Sequence, residues 1–99
     1  MSFNEKCYSA LKKVPQGKVT TYAELGRVVG SPKSARAVGN AMNKNKNREV
    51  PCHRVVRSDG SIGGFAFGSE KKTEMLKKEG VEIVGGKMDL DKFGFRFSL

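Results

Sequence analysis

The sequence predicts a single, mainly α-helical domain with minor β structure and a winged helix-turn-helix core. The chain has 99 residues, which is enough for one domain spanning residues 1–99 and leaves little room for a second. Two short helical patterns follow one another across a tight turn, and the second is basic, as is typical of a helix-turn-helix. Turn sequences and short apolar runs after residue 50 predict small hairpins, which would supply the β structure.

The first element is predicted to be a helix over residues 3–13, and Pro15 would end it. Its apolar face repeats at helical spacing and consists of Phe3, Cys7, Ala10 and Leu11. The next helix lies in TTYAELGRVVG, where Thr20 or Thr21 can cap the start. Glu24 follows Thr21 by three residues, which is the spacing of a capping box.

The third helix is predicted over residues 35–43 of SPKSARAVGNAMNKN, with Ser31 or Ser34 as its cap. Val38 and Met42 form its apolar face because they are four residues apart. The opposite face offers small residues and one long cation, namely Ala35, Arg36, Gly39, Asn40 and Asn43. Small residues allow a helix backbone to approach another surface closely. That surface is either a neighbouring helix or, given the basic context, a polyanion.

Beyond residue 50 the sequence alternates between turns and short ordered segments. RSDGSIGG predicts a small hairpin with Asp59 and Gly60 at its tip. SEKKTEMLKKEG predicts a helix capped by Ser69 and ended by Gly80. The tail predicts a second hairpin that turns at Gly85–Gly86. The predicted packing residues of this part are Met75, Leu76, Phe93, Phe95 and Phe97.

The charge of the chain is positive and unevenly distributed. The formal net charge is +9, and residues 1–50 carry 10 Lys and Arg against 3 Asp and Glu, a net of +7. Residues 51–99 carry 9 against 7, a net of +2. A basic excess concentrated in one half is typical of a protein that binds a polyanion such as nucleic acid. The alternative is that the charge serves solubility alone.

Several classes of protein are disfavoured by composition. The sequence has no apolar stretch long enough for a membrane span and no signal-peptide core near its start. Two cysteines do not make a disulfide framework, so we expect an intracellular, reducing compartment, the cytoplasm or nucleoid. A structural zinc site needs about four ligands. With two distant cysteines and one histidine, we expect no metal and no cofactor.

The stretch VPCHR at residues 50–54 places a thiol, the single imidazole of the chain and a guanidinium side by side. A thiolate is a strong nucleophile, and an imidazole can take the proton from Cys52, either directly or through a water. A carboxylate would then orient His53, and Glu79 is a candidate. The alternative is that Cys52 is a buried small hydrophobe and His53 an ordinary polar residue.

The motifs PCHRVV, SARAVGNAM, VPQGKVTTYAELG and DGSIGGF occur in this order. Together they resemble the DNA-binding and active-site domain of the O6-alkylguanine-DNA alkyltransferases, with the match strongest over residues 14–81. The resemblance implies a one-shot transfer of an alkyl group from O6-alkylguanine in double-stranded DNA to Cys52, with flipping of the damaged base. It also implies that a winged helix-turn-helix binds the minor groove. The protein would act as a monomer and need no cofactor.

The resemblance also implies roles for individual residues. His53 would act as a base through a water, Glu79 would orient it, and Asn45 would brace the turn of the pocket. Tyr22 and Lys72 would help the guanine leave as a neutral base, while Arg36 would fill the gap left by the flipped nucleotide. The implied DNA contacts are Thr20, Thr21, Tyr22, Ala35, Arg36, Gly39, Asn40 and Asn43. The implied pocket residues are Met42, Val50, Pro51, Arg54, Gly64 and Phe65, and the loop over residues 61–68 would wall the guanine pocket.

The sequence departs from the family pattern in three places. The usual N-terminal domain is expected to be absent, Phe65 stands where many members have tyrosine, and the loop over residues 45–51 is short and polar. The chain also resembles the alkyltransferase-like proteins, which bind alkylated DNA without transfer and typically have tryptophan in place of the cysteine. Cys52 favours transfer. A sequence-specific helix-turn-helix regulator and a structural adaptor remain as alternatives.

Overall fold

A computed structural model describes residues 1–97 and contains five α-helices, one 3₁₀ turn and two short strands among them. In chain order these are α1 (Phe3–Leu11), β1 (Thr20–Thr21), α2 (Tyr22–Val28), α3 (Ala35–Lys44), the 3₁₀ turn (Cys52–Arg54), β2 (Val55–Val56), α4 (Ser69–Lys78) and α5 (Leu90–Phe93). The two strands form one parallel pair. The predicted fold class, mainly helical with minor β structure, is confirmed.

Helix α1 begins at a capping box that the sequence analysis did not identify. The Glu5 backbone N–H donates to Ser2 Oγ at 3.1 Å, and the Ser2 N–H donates to Glu5 Oε1 at 3.2 Å. The helix ends before Pro15, as predicted, and buries Cys7, Ala10 and Leu11. This buried face forms one wall of the first core, whose other members are Val14, Leu25, Val38, Ala41, Met42, Val50 and Val55. The predicted face residue Phe3 packs against this core but is only partly buried.

Helices α2 and α3 form the helix-turn-helix. Thr21 caps α2 by accepting from the Glu24 N–H at 3.0 Å, but the Glu24 carboxylate pairs with Arg27 at 2.7 Å instead of closing the capping box. Ser34 precedes α3 without capping it, because its hydroxyl donates to the Ser31 carbonyl. The turn between the two helices passes close to α2 at Gly26, where a built Cβ would lie 2.9 Å from the Ser31 carbonyl oxygen.

Strand β2 pairs in parallel with β1, with Thr20 opposite Val55 and Thr21 opposite Val56. The turn predicted at Asp59 and Gly60 does form, and the Arg57 N–H donates to the Ser61 carbonyl across it at 3.0 Å, but no paired strands extend from it among residues 1–97. Both valines are fully buried, which is typical of a strand covered on both faces and suits parallel pairing. Successive strand residues point to opposite sides, so Val55 joins the first core and Val56 the second.

The C-terminal part packs around the second core. This core contains Val19, Val56, Ile62, Leu76, Val81, Met88 and Phe93. Helix α4 ends at Lys78, followed by the C-cap Glu79 and by Gly80 at φ 97°, which ends the helix as predicted. Ser69 is the first residue of the helix, and Gly68 takes the N-cap position. The turn at Gly85–Gly86 is confirmed by the bridge between Val84 and Lys87.

The aromatic tail is confirmed as packing. Phe93 ends α5 and is buried in the second core, while Phe95 and Phe97 stack edge to face at 5.0 Å against the first. Met75 is the exception among the predicted core residues of this half. It is only half-buried, because its position on α4 faces a cavity rather than either core.

Candidate functional site

The stretch PCHR forms a 3₁₀ turn that presents the reactive side chains. The Arg54 N–H donates to the Pro51 carbonyl at 2.9 Å, and the turn spans Cys52–Arg54. A 3₁₀ helix has about three residues per turn, so the three side chains project in three different directions. Cys52 is half-buried at the wall of a cavity, whereas the His53 side chain is buried beside α4.

His53, Arg54 and Glu79 form a buried polar network behind the thiol. The Glu79 carboxylate accepts from His53 Nε2 at 2.9 Å, from Arg54 Nε at 3.0 Å and from Arg54 Nη2 at 2.7 Å. Arg54 Nη1 also donates to the Val14 carbonyl at 2.9 Å, which ties the network to the segment after α1. The Glu79 side chain is only 10% exposed, so these are close, charge-assisted bonds in a water-poor site.

Glu79 is held as an anion by its neighbours. Burial alone would raise the pKa of the Glu79 carboxyl, but the hydrogen bonds from Arg54 and His53 outweigh it and the pKa lies below its ordinary value. An ionised Glu79 can only accept, so the ring proton of a neutral His53 lies on Nε2. Nδ1 is then free to accept a proton, which is the geometry of a general base oriented by a carboxylate.

Asn45 holds the other side of Cys52. Asn45 Nδ2 donates to Cys52 Sγ at 3.0 Å and to the Asn47 carbonyl at 3.0 Å, while Asn45 Oδ1 accepts from the Asn47 N–H at 3.0 Å. Burial raises the pKa of the Cys52 thiol, and the Asn45 bond and the Lys72 charge oppose that rise only in part. At neutral pH the sulfur is therefore mainly a thiol, and a base must remove its proton before it can act as a nucleophile.

Cys52 opens into a cavity of about 600 Å³ between α3, the loop after it and α4. Its lining consists of Met42, Asn45, Lys46, Asn47, Arg48, Val50, Cys52, His53, Phe65, Ala66, Phe67, Lys71 and Met75. A cavity of this size falls within the range of about 300–1,000 Å³ that is usual for small-molecule sites. The cavity therefore has room for a flipped purine.

Three of the six predicted pocket residues, Met42, Val50 and Phe65, line the cavity, and the other three lie outside its lining. Pro51 is buried at the start of the 3₁₀ turn, and the Arg54 guanidinium is turned away toward Glu79. Gly64 instead lines a separate, more open groove along α4. Sequence reasoning missed Phe67, Lys71 and Met75; an aromatic residue in a glycine-rich loop and the helical spacing of the other two could have indicated them.

Tyr22 and Lys72 meet at the base of the loop between β2 and α4. Lys72 Nζ is fully buried and donates to the Val55 carbonyl at 2.6 Å and the Gly64 carbonyl at 3.0 Å. Tyr22 donates its hydroxyl to the same Gly64 carbonyl at 3.4 Å, and its ring centroid lies 5.7 Å from Lys72 Nζ. Burial lowers the pKa of Lys72 to about 8 and raises the pKa of Tyr22.

The outer face of α3 is open, as the sequence predicts. Ala35, Arg36, Asn40 and Asn43 are exposed there, and a built Cβ on Gly39 would meet nothing within 4 Å. Thr21 is half-buried beside α2. Thr20 is a correction to the predicted side-chain contacts with DNA, because it is only 2% exposed and therefore does not reach the surface.

Residues 1–97 contain neither a membrane-spanning helix nor a cluster of metal-binding side chains. No helix in that range is long and apolar enough to cross a membrane. Within the same range, no three or more His, Cys, Asp or Glu side chains are grouped so that they could hold a metal ion.

Comparison with known proteins places the chain among DNA repair proteins. The sequence profile described as "6-O-methylguanine DNA methyltransferase, DNA binding domain" matches residues 2–81. A "Bifunctional methyltransferase/endonuclease" of Picrophilus torridus is 42% identical over 89 residues, covering 89% of this chain and 30% of the relative. A "Methylated-DNA--protein-cysteine methyltransferase" of Methanosarcina acetivorans is 43% identical over 79 residues, covering 79% of this chain and 51% of the relative. The chain thus spans about half or less of these relatives.

A solved structure is similar over nearly its whole length. Schizosaccharomyces pombe Atl1, in complex with damaged DNA containing O6-carboxymethylguanine, superposes with a TM-score of 0.86 at 36% identity. The match covers 95% of this chain and 94% of that one. Likeness to a cysteine methyltransferase and to Atl1 makes the chemistry of Cys52 the feature that separates the two.

Proposed function

This chain belongs to the 6-O-methylguanine DNA methyltransferase family, and we propose that it transfers an alkyl group from O6 of guanine in double-stranded DNA to Cys52. The observation that carries the proposal is the Cys52 thiol at the wall of a purine-sized cavity, next to a histidine oriented by a buried carboxylate. A buried structural cysteine would need neither the cavity nor the base. Methyl transfer would leave Cys52 as a thioether.

The proposed transfer moves one alkyl group and one proton. His53 Nδ1 takes the proton of the Cys52 thiol through a water, and the Glu79 carboxylate stabilises the imidazolium that forms. The thiolate attacks the alkyl carbon, so an S–C bond forms as the O6–C bond breaks and its electron pair passes to the guanine. The proton lost by the thiol ends on the guanine, which leaves as the neutral, restored base. The protein acts once because a thioether has no easy route back to a thiol.

Tyr22 and Lys72 are proposed to assist the departing base. A buried amine with a pKa of about 8 gives up a proton near neutral pH far more readily than a surface lysine does. The Tyr22 hydroxyl and Lys72 Nζ donate to the same Gly64 carbonyl at the base of the loop that walls the cavity, where hydrogen-bond donors would stabilise negative charge developing on the departing guanine. Both residues therefore support guanine leaving as a neutral molecule.

Helix α3 is proposed to enter the minor groove and expose the damaged base. The minor groove is narrow, and the small exposed residues Ala35 and Gly39 let the helix backbone approach it. Extruding a base costs a few kcal/mol of stacking, which an inserted side chain offsets in part. Arg36 is the long side chain on this face, and we propose that it fills the space of the flipped nucleotide.

Replacing Arg36 with alanine is expected to weaken binding to O6-methylguanine DNA by about tenfold and to slow transfer together with it, since the vacated stack is no longer filled. Lys33→Ala is the matched control because it removes one exposed cation just before the same helix. It should weaken binding to damaged and undamaged duplexes equally, as a phosphate contact does. Equal behaviour of the two variants in fluorescence anisotropy would contradict the role of Arg36.

Intact-protein mass spectrometry tests the proposed function. After mixing with a duplex that carries one O6-methylguanine, the wild-type chain should gain about 14 Da, one methylene, by alkylation of a nucleophile. A tightly bound protein without this gain would be a lesion-binding sensor. The likeness to Atl1 and the raised pKa of Cys52 favour that second candidate, so both mass and binding must be measured on the same sample.

A further inference from the structure

Helix α3 ends with an irregular hydrogen bond, next to the residue that holds the reactive thiol. In a regular α-helix the Asn45 N–H would donate to the Ala41 carbonyl, four residues back. It donates instead to the Met42 carbonyl at 3.2 Å. Asn45 then leaves the helix with an extended backbone, at φ −70° and ψ 129°. The Ala41 carbonyl is therefore left without its usual helical partner.

Tyr8 of helix α1 supplies the missing partner. Its hydroxyl donates to the Ala41 carbonyl at 2.6 Å, although the two residues are 33 positions apart in sequence. Ala41 is only 1% exposed, so this carbonyl has little access to water, and a buried carbonyl without a donor is strongly unfavourable. Burial raises the pKa of the Tyr8 hydroxyl, which therefore stays protonated and able to donate at neutral pH. The Tyr8 hydroxyl thus stabilises the point at which α3 ends.

The end of α3 determines where the Asn45 side chain lies. From its extended backbone, Asn45 Nδ2 reaches Cys52 Sγ at 3.0 Å. Burial raises the pKa of the Cys52 thiol, and the bond from Asn45 is the largest of the effects that lower it. Without the Tyr8 hydroxyl, the Asn45 N–H would become the available donor for the Ala41 carbonyl. The helix would then continue by one residue, and the Asn45 side chain would move away from the sulfur.

We propose that Tyr8 is a positioning residue for the nucleophile, because its hydroxyl ends α3 where Asn45 can hold Cys52 Sγ. Tyr8 is not among the residues that line the cavity, so it acts through the helix end and not on the substrate. The inference rests on the proposed function, since it takes Cys52 as the acceptor of the alkyl group. The alternative is that the hydroxyl only stabilises the packing of α1 on α3. Its removal would then lower stability and leave the ionisation of the thiol unchanged.

The test measures the ionisation of Cys52 in the free protein, in a Cys7→Ala background that leaves a single thiol. Alkylation by iodoacetamide is timed by intact-protein mass spectrometry from about pH 6 to about pH 10, a range that brackets an ordinary thiol pKa. The thiolate is the reactive form, so the pH profile of the rate reports the pKa of Cys52. Tyr8→Phe should move the profile to higher pH and slow alkylation at neutral pH about threefold, as expected for loss of one hydrogen bond. Because Tyr8→Phe keeps the ring that packs against the first core, the variant is expected to fold.

Two further variants identify the route of the effect. Asn45→Ala should also move the profile to higher pH, because it removes the hydrogen bond to the sulfur. Adding Tyr8→Phe to Asn45→Ala should move the profile no further, because Tyr8 acts through the Asn45 amide. Ser34→Ala is the matched control, since it also removes a hydroxyl that donates to a backbone carbonyl, that of Ser31, but just before the start of α3. It should leave the profile unchanged.

An unchanged profile in folded Tyr8→Phe protein overturns the proposal and leaves Tyr8 as a packing residue. A further shift of the same size in the Asn45→Ala background also overturns it, because Tyr8 would then act on the thiol by another route. Tyr22 and Lys72 are ionisable groups that also act on Cys52, but they are the same in every variant compared. Failure of the proposed transfer is a separate observation, since it appears as a missing mass gain with O6-methylguanine DNA, whereas alkylation by iodoacetamide needs no DNA.

Discussion

Cys52→Ser is expected to abolish the mass gain on O6-methylguanine DNA while leaving the affinity for that DNA within about threefold of the wild type, a difference well under 1 kcal/mol. A serine hydroxyl is far less acidic and less nucleophilic than a thiol, so the His53–Glu79 pair cannot activate it sufficiently for alkyl transfer. The cavity and the outer face of α3, which would bind the DNA, are unchanged. The measurement is intact-protein mass spectrometry alongside anisotropy on one preparation.

Cys7→Ala is the matched control for the loss of a cysteine. Cys7 is fully buried in the first core, and burial raises the pKa of its thiol. It has no route to a bulky DNA lesion, so Cys7→Ala should keep the full mass gain. Retention of the gain in Cys52→Ser would show that another nucleophile is used. Loss of the mass gain in a folded Cys7→Ala protein would equally contradict the assignment of Cys52 as the nucleophile.

Helix positions and faces determined by local sequence were predicted correctly, although the Ser34 and Ser69 caps were not. The end of α1 before Pro15 depends on the missing N–H of proline, and the Thr21 cap depends on a hydroxyl three residues from an N–H. The packing face of α3 follows from helical spacing alone. These interactions join residues within one or two helical turns, so a single sequence contains the information they require.

Interactions between distant segments were predicted less well. The family resemblance implied Arg54 as a pocket residue, but its guanidinium binds Glu79 and the Val14 carbonyl, 25 and 40 residues away. The parallel pair of β1 and β2 was not predicted either, since the paired residues Thr20 and Val55 are 35 positions apart. The pairing of His53 with Glu79 was anticipated only because chemistry required a carboxylate, and the structure brings the two together.

Glu79→Gln is expected to lower the free energy of unfolding by about 3 kcal/mol, because removing one partner of a buried pair leaves the other charge uncompensated. Arg54 would retain its charge beside a neutral amide in a site where its side chain is 16% exposed. Transfer should slow by about 100-fold, the lower range for loss of general-base function. The first effect is measured by urea denaturation and the second by timed mass spectrometry below the melting temperature of the variant.

Glu24→Gln is the control, since Glu24 forms the same kind of ion pair with Arg27 on the surface, where the two side chains are 30% and 46% exposed. It should change stability by no more than about 0.5 kcal/mol, as exposed pairs usually do. The double variant Arg54→Met/Glu79→Gln should lose less stability than the two single variants added together, because it leaves no buried charge unpaired. Additive losses would contradict direct coupling between the two side chains.

The pH dependence gives the buried carboxylate an independent signature. The pKa of Glu79 is lowered on folding, so below its ordinary value of 4.5 the unfolded chain binds the proton first. The stability contributed by Glu79 is therefore fully present above that pH and is lost as the pH falls through the folded pKa. Glu79→Gln cannot titrate, so the gap in unfolding free energy between wild type and variant should narrow steadily on acidification from pH 5. If the difference in unfolding free energy stays constant as the pH falls from 5, Glu79 is not held as an anion by Arg54 and His53. The orientation of the His53 ring by an ionised Glu79 would then be wrong as well.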